Sequence, residues 1–260
     1  MSETANVALG IDVGGTGIKG ALVDLDTGHL VSERFRLDTP QPARPADVAD
    51  AIVAVAEHFD FDGATGVAFP GVVLDGVVHT AANLHPDWIG VSLAELVGRR
   101  LRGASTFLND ADAAGLAESH FGAAKGTDGV VLLVTLGTGI GVAMISDGRL
   151  VANSELGHLE LDGVDAETYA AASARKRNGH TWEEWGAHAN HYLEHLEGLV
   201  WPKLFVLGGG ITKNPEKWLH YLHPRTPIVL AQHINNAGIV GAADATRQDS
   251  GASHTAEIGS

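Results

Sequence analysis

Four residues, Gly-Thr-Gly-Ile, occur twice in this chain, at 15–18 and at 137–140, each time between apolar runs that read as strands. The first copy sits in Leu9-Gly-Ile-Asp-Val-Gly-Gly-Thr-Gly-Ile-Lys-Gly-Ala-Leu-Val-Asp24. The second sits in Val131-Leu-Leu-Val-Thr-Leu-Gly-Thr-Gly-Ile-Gly-Val-Ala-Met-Ile145. After each copy the pattern runs on alike: a short apolar strand, a Gly-containing turn (Thr27-Gly28, Asp147-Gly148), then Leu-Val at 30–31 and 150–151. A Gly-rich hairpin leaves backbone N–H groups uncovered by side chains, which suits an anionic phosphate. Two such hairpins about half a chain apart predict an α/β protein of two similar lobes around a central cleft, gripping one phosphorylated molecule. The predicted phosphate ligands are Gly14, Gly15, Thr16, Gly17 and Lys19 in the first copy, and Gly137, Thr138 and Gly139 in the second.

Two other phosphate motifs compete and fail. Gly15-x-Gly17-x-x-Gly20 matches the dinucleotide fingerprint literally, but that motif needs a helix to follow it. Here Ala21-Leu-Val-Asp-Leu-Asp26 follows, and Thr27-Gly28 turns the chain into another extended run. No G-x-x-x-x-G-K-[ST] string exists in the chain, which removes the P-loop.

Composition narrows the partners. The 260 residues suffice for one large domain or two modest ones, and 45% hydrophobic with 19% charged residues describes an ordinary globular protein. No run approaches the roughly 18 apolar residues of a membrane helix. The absence of cysteine excludes disulfides and thiolate metal sites. With no basic and apolar leader at Met1-Ser-Glu-Thr-Ala-Asn6, the expected location is the cytoplasm. A net charge of −15, from 32 acidic and 17 basic residues, argues against a general nucleic-acid or anionic-membrane binder. It leaves room for a local basic groove, with Lys19, Lys125, Arg175-Lys176-Arg177, Lys203, Lys213, Lys217 and Arg225 as candidates.

Strands alternate with helices after an N-terminal strand group, and that order is repeated. Three strands are expected over 7–38, helices at Ala46–Phe59, Ser92–Arg100, Ala166–Lys176, Thr181–Leu196 and Asn236–Thr246, strands at 66–69, 105–108, 204–207 and 228–230, and the second hairpin at 130–145. The expected division is a small lobe over 1–109 with the first hairpin, a large lobe over 110–246 with the second, and a disordered tail over 247–260.

Asp110 is the first choice for a catalytic base. It stands where an apolar strand ends and a helix begins, at the carboxyl edge of a sheet. A carboxylate there can accept a hydroxyl proton as that oxygen attacks a phosphoryl group. The bland role, a helix N-cap, suits Asn109, Asp110 or Asp112 equally. Asp12 is a carboxylate in an apolar run, and magnesium beside a bound phosphate is a natural partner for it. Capping the hairpin's own N–H groups is its alternative role. Lys19 faces either the phosphates or the solvent. Glu155-x-x-His158-x-Glu160 has no standard zinc spacing, so a sugar is the better partner. Asn83, Asn109, Asp110, Glu155, His158 and Glu167 can hydrogen-bond vicinal hydroxyls in pairs, and His158 can equally be a satisfied structural histidine. The tryptophans at 182, 185 and 201 read as packing residues.

Taken in order, these motifs resemble the ROK sugar kinases, and within them the polyphosphate-dependent glucokinase branch. The likeness runs from about residue 6 to 246. It rests on Asp12-Val-Gly-Gly-Thr-Gly-Ile-Lys19, Phe69-Pro-Gly-Val-Val73, Asn109-Asp-Ala-Asp-Ala-Ala114, Thr135-Leu-Gly-Thr-Gly-Ile-Gly141, Glu155-Leu-Gly-His158, Gly208-Gly-Gly-Ile-Thr212 and Asn235-Asn-Ala-Gly-Ile-Val-Gly-Ala-Ala243. The narrower likeness rests on Glu155–Leu161, Trp182-Glu-Glu-Trp185 and the region from Lys203 to Ala243. The resemblance implies the actin-like ATPase (ribonuclease H-like) fold and phosphoryl transfer from polyphosphate, or from ATP, to the 6-hydroxyl of glucose. It implies that Asp110 deprotonates that hydroxyl, that Asn83, Asn109, Glu155, His158 and Glu167 hold the sugar, and that Mg2+ joins the phosphates at Asp12. It also implies a homodimer. The chain departs from most of the family where a zinc-binding cysteine cluster would fall, at Leu159-Glu-Leu-Asp-Gly-Val-Asp-Ala166, so no structural zinc is expected. An ATP-only hexokinase and a non-catalytic sugar sensor are the remaining readings.

Overall fold

The computed structural model describes residues 6–81, 84–233 and 235–251. The chain divides into two compact units: one from the chain up to Ala113 together with the segment from Gly238 onward, the other from Ala114 to Ala237.

The first unit opens with β1 (Val7–Val13) and β2 (Gly17–Asp24), an antiparallel pair joined by the first Gly-Thr-Gly-Ile turn. A third strand, β3 (Phe35–Asp38), adds to β2. It starts later than the expected run, because residues near Leu30 make only an isolated bridge to Val23. Helix α1 (Pro45–His58) starts with proline at its first turn, where the missing N–H costs nothing, and buries Val48, Ala49, Ile52, Val53 and Val55. Strand β4 (Thr65–Phe69) follows, then a small hairpin of β5 (Val73–Leu74) and β6 (Val77–Val78) turning at Asp75-Gly76. The helix expected at 92–100 is instead α2 (Leu93–Leu96), capped by Ser92, and a separate 3-10 turn at Gly98–Arg100. Strand β7 (Ser105–Asn109) leads directly into α3 (Asp110–His120). The sheet order is β3-β2-β1-β4-β7, antiparallel on the β2 side and parallel on the β4 side.

The second unit repeats that plan. Strands β8 (Val130–Leu136), β9 (Ile140–Ser146) and β10 (Arg149–Val151) are antiparallel neighbours around the second turn. A two-residue hairpin, β11 (Glu160–Leu161) and β12 (Val164–Asp165), precedes α4 (Glu167–Ala170) and α5 (Ala172–Arg177). The single helix expected over 166–176 is therefore broken, at Ala171, whose backbone is extended. Helix α6 (Trp182–Val200) opens with a full capping box between Thr181 and Glu184. Strands β13 (Leu204–Gly208) and β14 (Ile228–Leu230) complete the order β10-β9-β8-β13-β14, the counterpart of the first sheet. Trp185, Trp218, Tyr192 and Phe205 fill the core, and the Trp185 indole donates to the Ala170 and Ala171 carbonyls. Trp201 does not join it: a left-handed backbone at the end of α6 leaves it 66% exposed, beneath the Arg225 guanidinium.

The chain then returns to the first unit as α7 (Ala237–Gly251). This corrects the expected boundary at 246, since the last helix belongs with the first sheet. It also shortens the expected tail: 247–251 are helical, and 252–260 lie outside the described residues. Along β1 the side chains alternate, so Leu9, Ile11 and Val13 join the α1 core while Ala8 and Gly10 occupy the opposite face. A Cβ on Gly10 would lie 1.9 Å from the Ile239 carbonyl oxygen, and one on Gly66 would lie 1.7 Å from that of Ala242. Helix α7 thus lies on the sheet at backbone contact, which only small residues permit.

Candidate active site

In the first unit the ladder pairs Asp12 with Lys19 and Val13 with Ile18, leaving Gly14–Gly17 as the turn. The Gly14 N–H donates to the Gly17 carbonyl at 3.0 Å. The other carbonyls are held from outside. The Thr39 hydroxyl donates to Gly14 O at 2.5 Å, Gln41 Nε2 to Gly15 O at 3.2 Å, and the Arg36 guanidinium to Thr16 O at 2.9 Å. The Gly15 and Thr16 N–H groups have no acceptor among the described residues. Successive amides left open in this way form an anion-binding concavity.

Beside this turn, Lys19 Nζ lies 2.9 Å from Asp12 Oδ2, and both side chains are partly buried. Lys19, expected to face either the phosphates or the solvent, is turned onto Asp12. A Cβ at Gly238, near the start of α7, would lie 2.6 Å from the Asp12 carboxyl carbon. The helix therefore approaches the carboxylate without covering it. Among the described residues no group of three or more His, Cys, Asp or Glu side chains is placed to hold a metal. Mg2+ takes one or two carboxylates and completes its shell with phosphate oxygens and water. Asp12, whose Oδ1 lies outside the lysine pair, offers such an ion one carboxylate oxygen.

Asp110 is the first residue of α3. Asn109 supplies the cap: its side-chain oxygen accepts from Ala111 N at 2.7 Å and Asp112 N at 3.1 Å, and its amide donates to Gly71 O. That leaves at most one amide hydrogen of the buried Asn109 for a sugar. It also frees Asp110 from the capping duty, although Oδ1 still accepts from the Ala111 N–H at 2.8 Å. The Asp110 carboxyl is pushed up to about 7, first by loss of surrounding water and then by the negative charge of Asp12. The residue nonetheless keeps an exposed surface. Desolvation together with an exposed surface leaves the carboxyl reachable and poised near neutrality.

The second unit holds the other hairpin. Here Leu136 pairs with Ile140, and the turn is Gly137–Gly139, closed by the Gly137 N–H to Gly139 O at 2.9 Å. Ser173 grips it twice, through its N–H to Gly137 O at 3.0 Å and its hydroxyl to Thr138 O at 2.6 Å. The Thr138 and Gly139 N–H groups have no acceptor among the described residues. Glu167 Oε2 accepts the Ile140 N–H at 2.9 Å, and a Cβ on Gly139 would lie 2.2 Å from that oxygen. Glu155, at a left-handed backbone position, starts the 3-10 turn Leu156–His158. His158 Nδ1 is 3.1 Å from Asp165 Oδ2, and Nε2 is 4.0 Å from Glu155 Oε2.

The first unit thus gathers Asp12, Gly14, Gly15, Thr16, Gly17, Lys19, Asn109 and Asp110, and the second gathers Gly137, Thr138, Gly139, Glu155, His158 and Glu167. Asn83 lies outside the described residues. Sequence reading missed Arg36, Thr39, Gln41, Ser173 and Asp165. Only Asp165 carried a signal, as one of three carboxylates in the segment where the family's cysteines would fall.

The ROK family model matches residues 8–181. The polyphosphate glucokinase of Mycobacterium tuberculosis (strain CDC 1551 / Oshkosh) is 49% identical over 249 residues, spanning 95% of this chain and 94% of that protein. That of Mycobacterium leprae is 46% identical over 92% of this chain and 74% of its own length. Among solved structures, the inorganic polyphosphate/ATP-glucomannokinase of Arthrobacter sp. strain KM superimposes with a TM-score of 0.87 at 49% identity, covering 94% of this chain and 99% of that one. A ROK family glucokinase from Streptomyces griseus, solved with glucose and AMPPNP, gives 0.79 at 26% identity, covering 94% and 100%.

Proposed function

This chain belongs to the ROK family, and from that premise we propose that it moves the terminal phosphoryl group of inorganic polyphosphate to the 6-hydroxyl of glucose. ATP serves as a second donor in this reading, which the polyphosphate/ATP enzyme at 49% identity supports. The observation that carries it is Asp110: a carboxyl held near neutrality in the same unit as a hairpin with two open N–H groups.

The reaction follows from these groups. Asp110 accepts the proton of the glucose 6-hydroxyl as its oxygen attacks the terminal phosphorus in line. The bond to the bridging oxygen breaks, and that oxygen leaves with its electron pair on the shortened polyphosphate. Phosphoryl transfer asks mostly for positioning and charge stabilisation. The open N–H groups of Gly15, Thr16, Thr138 and Gly139 supply both to phosphate oxygens. Mg2+, when bound at Asp12 with those oxygens, neutralises charge on the phosphates. Glu155, His158 and Glu167, with Asn83 and Asn109, hold the sugar hydroxyls. A homodimer in the cytoplasm, with no nucleic-acid or membrane partner, belongs to the same reading. Among the described residues no helix is long and apolar enough to cross a membrane.

The test is direct. Purified protein with glucose and Mg2+ is given polyphosphate or ATP while glucose 6-phosphate is followed. Product with polyphosphate, lost in Asp110→Asn, is the expected result. No product from either donor, or full activity in the variant, overturns the reading.

A further inference from the structure

Asp165 ends β12, and its two oxygens serve two different residues. Oδ2 lies 3.1 Å from His158 Nδ1, and Oδ1 accepts the Glu167 backbone N–H at 2.8 Å. The Glu167 carboxylate in turn accepts the Ile140 N–H of the second hairpin at 2.9 Å. One chain of contacts therefore runs from an imidazole to a phosphate turn.

An ionised carboxylate accepts hydrogen bonds and donates none. Nδ1 of His158 must then carry a hydrogen, and Nε2, 4.0 Å from Glu155 Oε2, is the nitrogen left for a ligand on a side chain that is 52% exposed. The backbone beneath is fixed as well. The buried Tyr192 hydroxyl donates to Leu156 O at 3.0 Å, and Gly157 passes the Ile140 carbonyl so closely that a Cβ would lie 1.9 Å from its oxygen.

We propose that Asp165 is a positioning residue of this site: it sets the His158 tautomer, with Nδ1–H inward and Nε2 toward a sugar hydroxyl, and through Glu167 it ties that imidazole to the second phosphate hairpin. The sugar half of this inference rests on the assignment of His158 made above. The surroundings agree with it. The hydrogen bond to Asp165, then the charges of Asp165, Glu167 and Glu155, raise the His158 pKa against the opposing effect of burial. Partners of this kind, one shell behind the contact, orient a ring whose own polar atom does the binding.

Asp165→Asn separates the two duties. Its amide oxygen still accepts from the Glu167 N–H, while its NH2 faces Nδ1 and demands an acceptor there, so the neutral ring moves its hydrogen to Nε2. Nitrogen-15 spectra of histidine-labelled protein read the tautomer without substrate, with His158→Gln identifying the resonance. The parent is expected to show Nδ1–H with a titration midpoint above that of an ordinary histidine. Asp165→Asn is expected to show Nε2–H, a lower midpoint, and a glucose KM raised by roughly 10- to 100-fold with the polyphosphate KM within about twofold. Asp165→Ala, which also releases Glu167, raises both KM values. A His158 resonance indifferent to Asp165→Asn, or a parent that carries its hydrogen on Nε2, overturns the proposal even if Asp165→Ala does not fold. A tautomer that switches while the glucose KM stays constant upholds the hold on His158 and overturns the sugar assignment instead.

Discussion

The two Gly-Thr-Gly-Ile turns share their residues but not their register. The first spans four residues between the Val13–Ile18 pair, the second three between the Leu136–Ile140 pair. One step down each ladder the difference becomes chemical. The first hairpin places the ion pair of Asp12 and Lys19 there, whereas the second places Thr135 opposite Gly141, with the threonine hydroxyl turned onto the Gly141 carbonyl. Both turns have carbonyls gripped from outside and two open N–H groups. What grips them differs: Arg36, Thr39 and Gln41 in one, Ser173 in the other, where the Glu167 carboxylate accepts the Ile140 N–H beside the turn. A repeated tetrapeptide thus specifies an amide-lined turn, and its neighbours decide what that turn is for.

The comparison breaks hardest at Asp12 and Asp110 of the first unit; the ladder step that holds Asp12 there holds Thr135 in the second. Asp110→Asn is expected to lower kcat by roughly 10²- to 10⁴-fold, the usual contribution of a general base. Its stability should move the other way. The native carboxyl titrates near 7, above its ordinary value of 3.8, so the folded state retains a proton the unfolded chain releases over that window. Stability therefore falls as pH rises from about 4 to 7, and the full penalty remains above it. Thermal melts should find Asp110→Asn more stable than the parent at pH 8 and equal to it below pH 4. The same titration predicts a kcat/KM that rises through about pH 7.

Asp12→Asn tests the second charge. It should raise the Mg2+ concentration needed for half-maximal rate by at least about tenfold, equivalent to some 1.4 kcal/mol. It should also shift the acid limb of the pH profile downward, because Asp12 contributes to the elevation of Asp110. A limb that stays put would detach the two residues.

Gly139→Ala and Gly17→Ala sharpen the comparison. At Gly17 an added Cβ meets the Arg36 guanidinium at 2.5 Å, the far end of an exposed chain that can swing aside. At Gly139 it meets the Glu167 carboxylate, which is already committed to Ile140. Steady-state kinetics should show Gly139→Ala raising KM for both substrates by on the order of tenfold or more. Gly17→Ala should affect the donor alone, and less. The smallest effects belong to the outer grips. Thr39→Val and Ser173→Ala each remove one hydroxyl bond and should raise the donor KM by roughly two- to tenfold, about 1 kcal/mol.

The parts of the site legible in the sequence are those encoded within a few residues. Glycine turns between strands, a carboxylate at a strand-to-helix junction and a Glu-x-x-His turn all announce themselves locally. The grips do not, because Thr39 reaches Gly14 across 25 residues and Ser173 reaches Thr138 across 35. Gly238 was legible only as a small residue in a helix, and its use appears when α7 meets Asp12. The fold shows the same divide. The doubled strand order follows from apolar periodicity, while the break at Ala171 in an alanine-rich run leaves no periodic trace.

The return of α7 to the first sheet has a consequence for synthesis. The second unit is one continuous stretch, but the first is sewn from both ends of the chain. On the ribosome, the strands made first must wait for the helix made last, with Gly10 and Gly66 leaving bare backbone where it will dock. The order of assembly therefore inverts the order of translation, since domains fold as units once their residues have emerged. A chain stopped before residue 237 is expected to keep amide protection in β8, β9 and β13 and to lose it in β1 and β4. Protection surviving in β1 would show that the first sheet closes without its final helix.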